Sequence, residues 1–243
     1  MADAALTEVP ILILGESHST AISRAIEIEE DIPFVSIDVR TGSDKSKINY
    51  ELFSFYRPEK LVLAFGGTEH NIIGMIEGEP KYDFLWPPFD DFDTERTLIP
   101  ASAIEEILAL RIKSGLRRAL RVRELFDCPV FALAPPPPFL AIDDAAALPK
   151  AFASLLEAGI APAPIRRKLY AVQCAVMQSH YGSHDIPLIS APKKACDANG
   201  YILRKLWGRD PTHGNRHYGR ILVQHLRDKL GVKENAAEKK TDD

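Results

Sequence analysis

Five apolar runs of strand length constrain the fold of this chain more than any other feature of its sequence. Turn or helix signals follow the runs, which are Val9–Leu14, Phe34–Val39, Lys60–Phe65, Pro129–Ala134 and Ile186–Ser190. Their apolar character is continuous rather than alternating, which is typical of strands covered on both faces. The runs therefore predict a parallel β-sheet that is buried between two layers of helices.

Helical patterns occupy the stretches between these runs. Apolar residues recur at helical spacing in His18–Glu29, Ala101–Phe126, Pro164–Tyr181 and Asn215–Leu230. Ser102 and Glu105 fit a capping box at the start of the second helix, and Gly231 is placed to end the last one. The alternation of strand and helix predicts an α/β fold, a three-layer α/β/α sandwich. We expect a flavodoxin-like five-stranded parallel sheet with the strand order 2-1-3-4-5.

Two segments interrupt this alternation within residues 1–232, which we expect to form a single domain. Residues 77–100 make a long connection with many aromatic side chains. Long loops in compact domains are usually functional or disordered, and the aromatic content favours an ordered loop packed over the body. Residues 140–164 are rich in alanine and proline and are interpreted as a structural insertion. Residues 233–243 are charged and poor in apolar residues, so we expect a disordered tail.

The composition excludes several functional classes. The 243 residues include 30 Lys and Arg against 34 Asp and Glu, a net charge of −4, whereas a dedicated nucleic-acid-binding domain would be basic. Three cysteines without a C-x-x-C pair argue against a disulfide framework or a cysteine zinc site. No apolar run approaches the roughly 20 residues of a membrane span, and residues 1–10 lack the pattern of a signal peptide. We therefore expect a cytoplasmic protein.

Three polar clusters are predicted to meet at one edge of the sheet. They are Gly15–Ser19 after the first strand, Gly66–Asn71 after the third strand, and Asp210–His213 before the last helix. In open parallel sheets, ligands bind beyond the carboxyl ends of the strands, where the first two clusters lie. The sequence therefore indicates a ligand site at this edge.

Ser17 is the candidate nucleophile of this site. A serine hydroxyl needs a base to take its proton, which His213 could do, while Asp210 could bond the far ring nitrogen and fix the tautomer. Oxyanion donors could come from the backbone of Ser17, from the Gly66–Gly67 pair, which allows close backbone approach, and from the side-chain amide of Asn71. These residue types in combination point to acyl-transfer chemistry.

Each of these residues also has an interpretation without catalysis. Ser17 could be the N-cap of the first helix, and Asp210 with His213 could form an ordinary capped loop. His18 and His70 are either neutral histidines packed at the sheet edge or substrate contacts. These alternatives make the proximity of Ser17 to His213 the deciding structural observation.

Metal chemistry and an aromatic wall are the remaining possibilities at the predicted site. His18, His70, Asp210 and His213 could together hold a metal ion, but no Asp-rich ligand motif supports this, and we expect neither a metal nor an organic cofactor. Trp86 could line an acyl or sugar pocket, or it could pack within the long loop.

The three clusters resemble the motif blocks of the SGNH (GDSL-type) hydrolase superfamily. The resemblance rests on Gly-Glu-Ser-His-Ser near the N-terminus, the glycine block after a middle strand and Asp-Pro-Thr-His-Gly-Asn near the C-terminus, and it extends over residues 9–230. It implies a flavodoxin-like sandwich and ester hydrolysis through an acyl-serine intermediate. Ser17 would be the nucleophile, His213 the base and Asp210 the orienting acid. The backbone of Ser17, a glycine of the middle block and Asn71 would bind the oxyanion.

The sequence departs from this family pattern at two places. Glu16 stands where these enzymes usually have aspartate, and the middle block reads Gly-Gly-Thr-Glu-His-Asn instead of Gly-x-Asn-Asp, which displaces Asn71. Three functions therefore stay open. The first is a serine esterase acting on a small-molecule or carbohydrate ester, the second a catalytically weak or inactive module that binds a sugar or acyl ligand, and the third an acyltransferase.

Overall fold

A five-stranded parallel sheet forms the centre of the structure, a computed structural model that describes residues 6–28, 34–40, 47–142 and 158–232. The strands are β1 (Thr7–Gly15), β2 (Phe34–Asp38), β3 (Tyr56–Ala64), β4 (Tyr82–Asp83), β5 (Thr97–Leu98), β6 (Val130–Leu133) and β7 (Leu188–Ile189). The central sheet has the order β2-β1-β3-β6-β7, and every pairing in it is parallel. This arrangement confirms the predicted sheet and its order. Residues 143–157 of the expected insertion, and the expected tail at 233–243, lie outside the described residues.

Five α-helices accompany the sheet in the described residues. They are α1 (Ser19–Ile26), α2 (Glu69–Gly74), α3 (Ala101–Arg123), α4 (Ala163–Gly182) and α5 (Arg216–Leu230). Four of them match the predicted helices, while α2 is too short for its periodicity to be recognised. Gly231 ends α5 in the left-handed conformation, with φ of 65°. No helix in the described part of the chain has the length and apolarity that a membrane span requires.

The predicted capping box at the start of α3 is wrong. The N-cap of this helix is Pro100, whose extended backbone precedes the first helical residue, Ala101, and no side chain caps the helix. Ser102 is already inside the first turn, so its backbone is helical and its side chain does not occupy the cap position.

Side chains of the central strands alternate between two hydrophobic clusters, one on each face of the sheet. Leu12 and Leu14 of β1 belong to the cluster that α3 and α4 cover, whereas Ile11 and Ile13 belong to the cluster that α1 and α5 cover. All four are fully buried, and each such side chain stabilises the fold by about 1.5–3 kcal/mol. Burial on both faces explains why the sequence of this strand is continuously apolar.

The connection at residues 77–100 packs against the α4 side of the molecule. Its strands β4 and β5 pair in parallel, and Phe84 between them is fully buried. The ammonium group of Lys168 on α4, also fully buried, pairs with Asp83 and donates to the backbone carbonyl of Asp91 at 2.8 Å. An ion pair and an aromatic side chain therefore hold this long segment in place.

Close packing of β1 against β3 brings two of the predicted clusters together. Gly15 is the register partner of Ala64, and a Cβ atom at Gly15 would lie 2.6 Å from the Ala64 carbonyl oxygen. Only glycine fits this approach. The turns that leave the ends of both strands are consequently neighbours.

Candidate active site

Ser17 lies in the turn between β1 and α1, beside a cavity of about 600 Å³. The N-cap of α1 is His18, and no side chain caps the helix, so Ser17 is not the N-cap residue. Among the described residues, no protein group forms a hydrogen bond with the Ser17 hydroxyl or with its backbone N–H. Both groups are therefore available to a ligand in the cavity, which Asp210 and His213 also line.

Asp210, Thr212 and His213 form one hydrogen-bonded group. The Nδ1 atom of His213 lies 2.8 Å from Oδ1 and 3.0 Å from Oδ2 of Asp210. Thr212 donates to Oδ1 of Asp210 twice, through its backbone N–H at 2.9 Å and its hydroxyl at 2.5 Å. Burial opposes ionisation of Asp210, but the hydrogen bonds from His213 and Thr212 outweigh it and lower the pKa of this carboxyl to about 2. The ionised carboxylate therefore accepts a hydrogen bond from Nδ1–H, which assigns the lone pair of the ring to Nε2.

The Nε2 atom of His213 is buried and has no hydrogen-bond partner among the described residues. Ser17 lines the same cavity, although no hydrogen bond joins its hydroxyl to this nitrogen. In unliganded sites, catalytic hydrogen bonds are often long and tighten only when substrate binds. The structure therefore brings Ser17, His213 and Asp210 to one cavity, with the basic nitrogen unoccupied.

His18 packs against His213, with 5.2 Å between the ring centroids. Both ring nitrogens of His18 are buried without hydrogen-bond partners. Burial, with a smaller contribution from the nearby His213, lowers the pKa of His18 to about 3. His18 is therefore a neutral ring that lines the cavity at the side of the candidate base.

His70 occupies a different environment from His18. It is buried in α2, makes an edge contact with the ring of Tyr170 at 5.4 Å between centroids, and does not line the cavity. Burial lowers the pKa of His70 to about 3. The structure thus places His70 as a packed neutral histidine behind the glycine block.

The glycine block does not present free donors to the cavity. The N–H of Gly66 donates to Oε2 of Glu16 at 3.2 Å, and that of Gly67 donates to Oε2 of Glu69 at 2.7 Å. Both glycines have positive φ angles, 66° and 96°, which residues other than glycine rarely adopt. Asn71 is buried in α2, and neither it nor the two glycines line the cavity. Of the residues predicted to supply oxyanion donors, only Ser17 lines the cavity, and its backbone N–H has no partner among the described residues.

Glu16 links the turn that contains Ser17 to two other elements. Its Oε1 atom accepts from Nε and Nη2 of Arg118 on α3, at 2.9 and 2.6 Å, while its Oε2 atom accepts from Gly66. The two charged residues are 102 positions apart, so no local pattern in the sequence indicates this pair. Glu16 therefore has a positioning role in the structure.

Similarity to solved structures is the only similarity that the comparisons find, since no protein-family model and no curated protein sequence matches this chain. A candidate acylhydrolase from Bacteroides fragilis has a TM-score of 0.51 and 9% identity, over 91% of this chain and 86% of that one. A carbohydrate acetylesterase family member from Sinorhizobium meliloti has a TM-score of 0.48 and 11% identity, over 92% and 100%. A GDSL-like lipase from Bacteroides thetaiotaomicron has a TM-score of 0.47 and 11% identity, over 91% and 87%. The fold is SGNH-like.

The tryptophan that lines the cavity is not the one predicted from the sequence. Trp207 lines the cavity, stacks on Phe139 at 4.5 Å and donates through Nε1 to the carbonyl of Ile202 at 2.9 Å. Trp86 packs instead against the hydrophobic cluster under α3 and α4 and does not line the cavity. Tyr82, Phe84 and Trp86 of the long loop pack on the opposite face of the sheet.

Three arginines that line the cavity were not predicted from the sequence. Arg24 lies one turn after Thr20 on α1, Arg209 precedes Asp210, and Arg216 begins α5. Their adjacency to the predicted clusters was the available signal. Among the described residues, no group of three or more His, Cys, Asp or Glu side chains is arranged to hold a metal ion.

Proposed function

We propose that this protein is a serine esterase that hydrolyses a small-molecule or carbohydrate ester through an acyl-serine intermediate. One observation carries the proposal: the unpartnered Nε2 atom of His213, oriented by Asp210, is buried at the cavity that Ser17 lines. The volume of about 600 Å³ is within the range of small-molecule sites.

The proposed reaction has two steps. The Ser17 hydroxyl oxygen attacks the ester carbonyl carbon while Nε2 of His213 takes the hydroxyl proton, and the imidazolium then returns this proton to the departing alcohol oxygen. Water next attacks the acyl-serine carbonyl carbon while His213 takes a proton from it, and the imidazolium returns this proton to the Ser17 oxygen as the carboxylic acid leaves. Asp210 stays ionised and stabilises the transient imidazolium. If an alcohol replaces water in the second step, the same intermediate gives acyl transfer.

Two changes test the nucleophile and its base. We expect 4-nitrophenyl acetate hydrolysis by the wild type, and loss of about 10³-fold or more in kcat/KM for Ser17→Ala. His213→Gln should lose a similar amount, and the double variant no more than either alone, because the residues act as a unit. Ser179→Ala, an exposed serine on α4, is the matched control. Activity that survives Ser17→Ala contradicts the mechanism.

A binding module without turnover is the second candidate, and the glycine block favours it. Because the Gly66 and Gly67 amides bond to carboxylates, the oxyanion would lack the donors that the family resemblance implies. A fluorophosphonate probe distinguishes the two candidates, since it forms a covalent bond only with an activated serine. Labelling of the wild type at Ser17, measured by mass spectrometry, supports the esterase. Absence of labelling together with saturable ester binding supports the binding module.

A further inference from the structure

Three arginines surround the cavity that holds the candidate nucleophile. Arg24 reaches it from α1, Arg209 from the loop before Asp210, and Arg216 from the first turn of α5. They come from three separate elements of the chain and converge on one volume of about 600 Å³. The convergence is a property of the fold, since Arg24 lies far from the other two in sequence.

These arginines have no carboxylate partners within the described ranges of the chain. Other arginines do form ion pairs, such as Arg96 with Glu77 at 2.7 Å and Arg118 with Glu16 at 2.6 Å. Among the described residues that line the cavity, the one acidic residue is Asp210, and its carboxylate already binds His213 and Thr212. The cavity therefore carries an excess of positive charge, although the whole chain has a net charge of −4.

The position of Arg216 is not explained by helix stability. It is the first residue of α5, and no acidic residue occurs in the first turn of that helix. A positive charge at a helix N-terminus opposes the helix dipole, so this placement is unfavourable for the isolated helix. An anion in the cavity would meet both the guanidinium group and the positive end of the dipole.

The geometry also indicates where on the substrate the charge would lie. Thr20, Ala21 and Arg24 line the cavity from one face of α1, and Ser17 precedes the helix at the other end of this face. With a rise of 1.5 Å per residue, the Cα atoms of Thr20 and Arg24 are about 6 Å apart along the helix axis. An anionic group that reaches Arg24 would therefore be separated by several bonds from a carbonyl carbon at Ser17.

We propose that the cavity selects an ester carrying an anionic group, such as a carboxylate or sulfonate, several bonds from the scissile carbonyl. This inference rests on the proposed function, because it takes Ser17 as the point of attack. The anion would pair with Arg24, Arg209 and Arg216, which are exposed residues, so salt would screen these contacts.

Matched esters test the selection on either side of the scissile bond. For the acyl side, the pair is mono-4-nitrophenyl glutarate and 4-nitrophenyl valerate, which differ in a terminal carboxylate against a methyl group. For the alcohol side, the pair is 4-acetoxybenzenesulfonate and 4-acetoxybenzenesulfonamide. We expect the wild type to favour the anionic member of one pair in kcat/KM, mainly through KM, and to lose the preference in 0.5 M NaCl.

Arginine variants then locate the preference in the cavity. Arg24→Gln, Arg209→Gln and Arg216→Gln should each lower the anionic-to-neutral ratio of kcat/KM about threefold, and the triple variant about tenfold or more. Arg121→Gln removes an exposed arginine of α3 that does not line the cavity, and it should leave the ratio unchanged. Circular dichroism checks that each variant folds. A wild-type ratio near one for both pairs, or a ratio that the triple variant retains, overturns the inference.

A binding measurement separates failure of this inference from failure of the proposed function. Calorimetry compares monomethyl glutarate with methyl valerate, and benzenesulfonate with benzenesulfonamide, on Ser17→Ala with and without the triple arginine substitution. Tighter binding of one anion that depends on the arginines supports the inference, even where no ester is turned over. Turnover that depends on Ser17 but shows no preference for the anionic ester supports the proposed esterase function and refutes the selection of anionic esters.

Discussion

We predict that replacing His70 by glutamine makes the folding of this protein less sensitive to acid. The ring is buried against Tyr170, and burial lowers its pKa from the ordinary 6.5 to about 3. Between these values the unfolded chain binds a proton on this ring and the folded chain does not. His70 therefore contributes no pH dependence to the free energy of unfolding above pH 6.5. Its contribution lowers this free energy as the pH drops below 6.5 and levels off below about pH 3.

The magnitude follows from proton linkage. Each unit by which the pH falls within this window lowers the free energy of unfolding by about 1.4 kcal/mol for each histidine that stays unprotonated in the folded state. From pH 7 to pH 5, His70 therefore contributes a loss of about 2 kcal/mol, and His18, whose pKa is also lowered to about 3, contributes a similar loss. Since domains are stable by only about 5–15 kcal/mol, a loss of this size is readily measured.

Urea unfolding at pH 7, 6 and 5 measures the effect. The glutamine variant can differ from the wild type in absolute stability, so the readout is the change in unfolding free energy between pH 7 and pH 5. We expect this loss to be about 2 kcal/mol smaller in His70→Gln than in the wild type. His184→Gln, at an exposed position, should behave as the wild type.

An equal loss between pH 7 and pH 5 in the wild type and in His70→Gln would refute the reasoning. The folded ring would then have to take up a proton in the same range as the unfolded ring. Nuclear magnetic resonance of the imidazole checks this directly, because we expect no change in the His70 ring shifts between pH 7 and pH 5. A ring that titrates in this range shows that burial does not suppress its charge.

Two further predictions concern packing. Lys168→Met leaves Asp83 buried without its cation, and we expect a loss of about 3–5 kcal/mol in unfolding free energy measured in urea; an unchanged value contradicts the buried pair. Gly15→Ala places a Cβ atom 2.6 Å from the Ala64 carbonyl oxygen, so we expect a loss of about 1–3 kcal/mol and a lower melting temperature. Gly182→Ala, with no atom within 4 Å of the new Cβ, is its control, and equal melting temperatures of the two variants would argue against the clash.

The fold could be predicted because its determinants are local and periodic. A strand buried on both faces needs an uninterrupted apolar run, and a helix on the sheet needs an apolar stripe, so both patterns appear directly in the sequence. The run at Val9–Leu14 accordingly lies inside β1, and α5 begins one residue after the predicted start at Asn215. The helix start at Ala101 was also predicted, but the capping residue was mistaken, because Pro100 and Ser102 both fit the start of a helix and the pattern does not show which of them caps it.

The contact between Asp210 and His213 could also be predicted, since they are three positions apart and a single turn brings them together. The availability of oxyanion donors could not. Whether the N–H groups of Gly66 and Gly67 face a ligand depends on which carboxylates reach them first, and Glu16 reaches Gly66 while it is held by Arg118 from α3. Such competition depends on distances between elements far apart in sequence.

The sequence by itself determined the layers of the sandwich and indicated the candidate reactive side chains, because burial patterns and local spacing encode both. The tertiary structure decided what surrounds those side chains. Trp207 rather than Trp86 lines the cavity, and Arg24 meets Arg209 and Arg216 there, because packing of α1 beside α5 brings distant residues to one volume. The physical reason is that a cavity is defined by the elements around it, and its charge is the sum over residues that no single stretch of sequence contains.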